Sequence, residues 1–151
     1  MMRDFAQTIV KVKDRHHLIL LAEQILQHIP YQPESTSVTT SAIDSFYAGQ
    51  GVCQDHAHVF IAMCRALQLP ARYVSGYLYD QNQPHLASHA WAEVFVENEW
   101  YCFDISNQIF TPKSHIYVAI GRDYLDVAPV RGVREQGGIE SMTSSVQVLA
   151  C

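Results

Sequence analysis

Cys53, His89 and Asp104 are residue types that can share one reaction: a thiol that attacks, an imidazole that moves protons, a carboxylate that orients the imidazole. Such chemistry acts on an amide carbonyl by way of an acyl-enzyme. The four cysteines, at positions 53, 64, 102 and 151, form no CxxC pair. A chain with a good core does not need disulfide staples, so free thiols are expected. Cys64 and Cys102 fall within apolar patterns and read as inert core residues, and Cys151 is the final residue. Cys53 differs from all three in its setting.

That setting is a helix start. Ala57, Phe60, Ile61, Cys64 and Leu67 recur at helical spacing, which predicts a helix from about Cys53 to Gln68. Stepping back four residues from Ala57 lands on Cys53, so the thiol opens the inward face within the first turn. Unpaired N–H groups and the positive end of the helix dipole favour an anion there. Gly49 and Gly51, flanking Gln50, allow a tight turn and close approach by a substrate backbone. Asp55 suits the first turn through the same dipole.

A hairpin must supply the partners. Strands are expected at Ser88–Val96 and Trp100–Ser106 around the polar turn Glu97-Asn98-Glu99. If Glu97-Asn98 is a two-residue turn, Val96 pairs with Glu99. Ala90, Ala92 and Val94 then face Ile105, Phe103 and Tyr101 in one apolar layer. On the opposite face Trp91 opposes Asp104 and His89 opposes Ser106, which makes His89 and Asp104 diagonal neighbours. A one-residue slip would drive the Asp104 carboxylate into the apolar layer, where it is costly unpaired. Asp104 would accept a hydrogen bond from one ring nitrogen of His89, and the other nitrogen would face Cys53. The Cys53 backbone N–H is the expected oxyanion donor, with Gln50 or Tyr47 as candidates for the second. Trp91 either walls the site or packs behind it.

The remaining pattern frames these two pieces. Asp14 caps a helix to about Gln27 with Leu18, Leu21, Ala22, Ile25 and Ile29 as its stripe, stopped at Pro30. Residues 31–40 read as a surface loop and Ser41 with Asp44 as a short helical turn ending near Gly49. Further strands are expected at Arg72–Tyr79, His115–Ile120 and Ile139–Leu149, the last two joined by a crossover containing Pro and Gly. Helix followed by a run of strands gives an α+β class. One domain over residues 1–151 fits the length.

Charge and composition exclude several functions. A net charge of −5, with no cluster of Lys and Arg, argues against nucleic acid as a partner. No apolar run is long enough for a membrane span. The opening Met1-Met2-Arg3-Asp4-Phe5 lacks the apolar stretch of a secretory signal, so a cytoplasmic location is expected. No cofactor and no metal are expected. His56 and His58 point in different directions on one helix, and His85 with His89 sits after a proline in loop geometry. Glu93 and Cys102 share the hairpin face of His89 further from the site and read as structural.

Gly51-Val52-Cys53-Gln54-Asp55-His56-Ala57, Pro70-Ala71-Arg72-Tyr73-Val74-Ser75-Gly76-Tyr77, Ser88-His89-Ala90-Trp91-Ala92-Glu93-Val94, and Trp100 with Phe103-Asp104 resemble the bacterial transglutaminase-like superfamily. The order cysteine, histidine, aspartate matches as well, and Val127-Ala128-Pro129-Val130-Arg131-Gly132 fits the tail of the same group. The resemblance implies a papain-like core, with helices and a nucleophile at a helix N-terminus packed on an antiparallel sheet. It implies thiol-dependent acyl transfer on peptide or protein amides. Two departures stand out. Bacterial relatives often carry a β-rich region ahead of this core, which these residues do not show. The aspartate is usually followed by Pro-Thr, and here by Ile105-Ser106-Asn107.

Within that implication, hydrolysis by a cysteine peptidase or amidase is the expected reaction, because nothing in the sequence marks an amine-binding site. The alternatives are a protein-glutamine transglutaminase or deamidase, and a non-catalytic binding module that keeps the fold. The binding module is disfavoured because all three reacting residues are present.

Overall fold

A computed structural model describes residues 1–79, 88–128, 135, 137–138 and 145–149. In chain order its elements are α1 (Met2–Ile9), α2 (Arg15–His28), α3 (Ala42–Ala48), α4 (Cys53–Ala66), β1 (Ala71–Leu78), β2 (His89–Val96), β3 (Glu99–Phe103), β4 (His115–Gly121) and α5 (Tyr124–Val127). The class is α+β, as the sequence implies.

The helices begin where local chemistry starts them. Asp14 accepts the His17 N–H at 2.8 Å to open α2, and Ser41 accepts the Asp44 N–H at 3.2 Å to open α3. Such a cap is worth about 1 kcal/mol. Burial does more: Leu18, Leu21, Ile25 and Ile29 of the α2 stripe are fully buried, at roughly 1.5–3 kcal/mol each. Packing therefore holds α2 and capping only places its end. α1 was not expected from the sequence. Its stripe of Met2, Phe5, Ala6 and Ile9 spans only two turns, and its order depends on contacts such as Phe5 edge-on to Phe46 at 5.4 Å.

Helix α4 lies across the sheet through the predicted residues Ala57, Phe60, Ile61 and Cys64, all buried, with the Phe60 and Phe103 rings 5.0 Å apart. The sheet is antiparallel throughout, in the order β3-β2-β1-β4. The hairpin has the expected register, with Val96 opposite Glu99, Val94 opposite Tyr101 and Ala92 opposite Phe103. Glu97 and Asn98 both take positive φ, 51° and 66°, as a two-residue turn between right-twisted strands requires.

The structure corrects two expectations. β3 ends at Phe103, so the ladder pairs Trp91–Asp104, Ala90–Ile105 and His89–Ser106 do not form. Asp104 instead turns its backbone to Ile109, donating to its carbonyl at 2.9 Å and accepting from its N–H at 3.1 Å. A short helix, α5, occupies part of the stretch expected as plain crossover, capped by Asp123 accepting the Asp126 N–H at 3.1 Å. The strand expected over 139–149 lies largely outside the described residues; within 145–149, Gln147 takes part in a single β-bridge.

β4 joins the other edge of β1 with a register shift between Ser75 and Gly76. A Cβ at Gly76 would stand 2.0 Å from the Ile116 carbonyl oxygen and 2.7 Å from the Trp91 ring. The glycine is what lets β4 come this close, and His115 at the head of β4 pairs with Leu78 as a result.

Candidate active site

Cys53 is the first residue of α4, half-buried against the core. Its approach is held from two directions. The chain leaving α2 runs alongside it: Gln32 donates its N–H to the Gly51 carbonyl at 2.8 Å, and Tyr31 bridges Gly51 in parallel. From within α4, the fully buried Asp55 carboxylate accepts the Val52 N–H at 2.8 Å, the Ser45 hydroxyl at 2.7 Å and the Thr36 hydroxyl at 2.5 Å. A Cβ at Gly51 would stand 2.8 Å from the Asp55 Cβ, so the carboxylate reaches the loop only because residue 51 has no side chain.

The imidazole and carboxylate come from the other side of the cleft. His89, first residue of β2, donates from Nε2 to Oδ2 of Asp104 at 2.8 Å. Asn107 adds its backbone N–H to Oδ1 at 3.2 Å and its side-chain amide to Oδ2 at 3.0 Å. His115 donates from Nε2 to the same Oδ2 at 2.9 Å. With Nε2 engaged, Nδ1 of His89 remains for the thiol, and Cys53 and His89 line the same two hollows, with the thiol among the groups that raise the His89 pKa. The sequence-derived trio thus converges on one point, even though Asp104 arrives from a turn and not from the strand.

Charge follows geometry. Burial alone would depress the His89 pKa, but hydrogen bonds to Asp104 and Cys53 outweigh it and raise it to about 9. Burial would likewise raise Asp104, yet donors from His115, His89 and Asn107 hold its carboxyl well below the usual carboxylate range. The other thiols behave as core groups: burial pushes Cys102 up to about 12 and Cys64 higher still. No disulfide joins them among the described residues.

Two hollows flank the sulfur. One, of about 470 Å³, is lined by Tyr31, Cys53, Leu78, Ser88, His89, Ser106 and Asn107. The other, of about 290 Å³, includes Tyr31, Glu34, Tyr73, Tyr124 and Ala90 beside Cys53 and His89. A further cavity of about 470 Å³ between α4 and α5 reaches His58 and Arg65 but not Cys53. The convergence of Cys53, His89 and Asp104, not cavity size, locates the candidate site.

The remaining candidates separate. Tyr47 is 64% exposed on α3 and lines neither hollow, and Gln50 lines neither as well. The Cys53 N–H, among the first four of α4, has no partner within its helix. Trp91 is fully buried under the site, with its ring 5.8 Å from that of His89, so it packs behind the imidazole and does not wall an open cleft. Glu93 pairs with Arg72 at 2.5 Å and accepts the Tyr117 hydroxyl at 2.9 Å, a structural arrangement. His56 and His58 do diverge: His56 joins the Ile29 carbonyl at 2.8 Å and the Ser106 hydroxyl at 2.7 Å, while His58 accepts the Tyr124 N–H at 3.2 Å. His85 lies outside the described residues.

Sequence reasoning missed Asn107, His115 and Tyr31 as members of the site. An Asp whose side chain can accept the backbone N–H three residues on, as at a helix cap, is a local signal that could have found the first. Nothing local marks His115. Ligand atoms of His89, Asp104 and His115 lie within 4.8 Å of one another and form the one grouping among the described residues able to hold a metal ion. The hydrogen bonds at 2.8 and 2.9 Å commit these same atoms to each other.

A papain-like arrangement of this kind has relatives. The sequence profile of the transglutaminase-like superfamily, "Transglut_core", matches residues 3–105, and the chain belongs to that superfamily. It is 31% identical over 140 residues to an uncharacterized protein of Mycobacterium leprae, covering 89% of this chain and 50% of that protein. It is 38% identical over 125 residues to an uncharacterized protein of Mycobacterium tuberculosis, covering 75% and 40%. Among solved structures it resembles a proposed cysteine protease from Cytophaga hutchinsonii, with 32% identity, a TM-score of 0.74, and 84% and 44% of the two chains covered. The chain therefore spans about half the length of the relatives it matches. Among the described residues, no helix is long and apolar enough to cross a membrane.

Proposed function

We propose that the protein is a thiol-dependent amide hydrolase, a cysteine peptidase or amidase working through an acyl-enzyme. The observation that carries this reading is that His89 is bonded to Asp104 and lines one hollow with Cys53, the three residues coming from α4, β2 and the turn after β3. The Cys53 proton passes to Nδ1 of His89, and Sγ attacks the amide carbonyl carbon. The oxyanion meets the Cys53 backbone N–H at the start of α4. As the tetrahedral intermediate collapses, the C–N bond breaks, and His89 returns the proton to the departing amine. Water then attacks the thioester with His89 as base, and the released thiol closes the cycle. Asp104 keeps the imidazole in the Nε2–H form throughout.

Peptide or protein amides are the substrates this reading implies. Water is the preferred acceptor because no amine-binding feature stands out among the described residues. Free Cys53, Cys64 and Cys102 fit a reducing compartment, so we infer a cytoplasmic setting.

Intact-mass spectrometry after exposure to mixed cell-wall peptides and protein amides tests the reaction. A transient acyl adduct on Cys53 that decays in water is expected. Decay only on adding a labelled amine, with the label found in the product, would turn the reading to transamidation. No adduct, with Cys53 alkylated no faster than an ordinary thiol, would leave a binding module.

A further inference from the structure

We infer that His115 is a positioning residue that fixes the Asp104 carboxylate for His89; the inference rests on the function proposed above. His115 reaches the site from β4, on the opposite side of the sheet from the hairpin that carries Asp104. Its side chain and that of Asp104 are both fully buried. Two polar groups withdrawn from water in this way are committed to each other, since either alone would be strongly unfavourable.

The geometry says what the commitment achieves. Oδ2 of Asp104 takes the Nε2–H groups of two imidazoles, at 2.8 Å from His89 and 2.9 Å from His115. Asn107 also donates to this carboxylate, but its bonds come from the same turn as Asp104, whereas His115 ties Oδ2 to β4, so a swing about χ2 would break a bond to the sheet. Trp91 braces the pair, with its ring 4.8 Å from His115, nearly edge-on, and 5.8 Å from His89. Asn107 donates its backbone N–H to Oδ1 and its side-chain amide to Oδ2, so the carboxylate keeps partners even without His115. Removing His115 should therefore loosen orientation more than it exposes an unpaired charge. Outer partners of this kind change function roughly 10- to 100-fold where measured around metal-bound histidines, which we take as the scale.

The test compares wild type, His89→Ala, His115→Leu and His115→Gln. Glutamine can place an amide N–H where Nε2–H stood, whereas leucine fills space with no donor. The readouts are the rate of Cys53 alkylation by iodoacetamide across pH, thermal stability, and the low-field proton resonance of His89 Nε2–H. We expect a roughly 10- to 100-fold slower alkylation at neutral pH in His115→Leu, with the profile moved toward that of a free thiol and the resonance lost. His115→Gln should recover to within a few-fold of wild type. Wild-type rate and profile in folded His115→Leu would overturn the inference, as would equal losses in both variants with an unmoved profile. If His115→Leu does not fold, His115→Asn, whose amide stops short of Oδ2, takes its place. Wild-type alkylation no faster than in His89→Ala would sink the proposed function instead. The resonance then decides His115 by itself, and its persistence in His115→Leu would refute the positioning role.

Discussion

Two buried carboxylates, Asp55 and Asp104, sit on either side of the same sulfur and have opposite company. Asp55 is surrounded by donors that do not titrate near neutrality: the hydroxyls of Ser45 and Thr36 and the Val52 N–H. Asp104 is surrounded by imidazoles and an amide. The first arrangement ties the loop before Cys53 to its helix. The second can exchange charge with the reacting centre. Burial of an acid is thus no guide to chemistry until its partners are named.

Substitutions should pull the two apart. Cys53→Ala is expected to abolish both alkylation at this position and amide turnover while leaving the melting temperature nearly unchanged, since the side chain is only half-buried; turnover that survives would place the nucleophile elsewhere. Asp104→Asn should lower turnover by roughly 10²- to 10⁴-fold, by allowing the wrong His89 tautomer. A loss no larger than its effect on folded fraction would make Asp104 a second Asp55. Asp55→Asn should act on stability, by about 1–3 kcal/mol from the buried partners left unpaired, measured by denaturant unfolding. A variant that keeps its stability but loses turnover would erase the contrast.

The pH dependence sharpens it further. His89 has its pKa raised to about 9, so its contribution to stability is complete below about 6.5 and fades as pH rises through 9. Asp104, depressed, contributes above about 4 and loses its effect as pH falls toward its lowered value. Turnover should decline above about pH 9, as the proton for the leaving amine is lost. A decline near pH 7 would indicate that Asp104 and Cys53 do not hold the imidazolium. Gln50→Ala and Tyr47→Phe come last, with a few-fold change at most in turnover, because neither residue lines the cleft.

Much of this site was readable in the chain itself, for physical reasons. The spacing from Cys53 to Leu67 repeats with the helix, so the thiol's place in the first turn followed. The apolar alternation of Ala90, Ala92 and Val94 against Tyr101 and Phe103 admits one register, and that put His89 and Asp104 on one face. Local periodicity could not show where β3 stops, because the exchange of backbone bonds between Asp104 and Ile109 replaces a ladder that looks equally good on paper. His115 was illegible for a different reason: it meets Asp104 through the β1–β4 pairing, and nothing in its own neighbourhood encodes that distant partner. Tyr47 shows the reverse case, since proximity in sequence to Cys53 suggested a role that its exposed position on α3 does not support.

Gly76 has a consequence for how tolerance maps of this protein would look. With the Ile116 carbonyl oxygen 2.0 Å from where a methyl would stand, even alanine must prise β4 outward, and His115 travels with that strand. In a saturation screen for activity, position 76 should then score as harshly as position 53. A reader ranking codons by intolerance would draw a ring of essential sites and find at its edge a residue with no reactive atom at all.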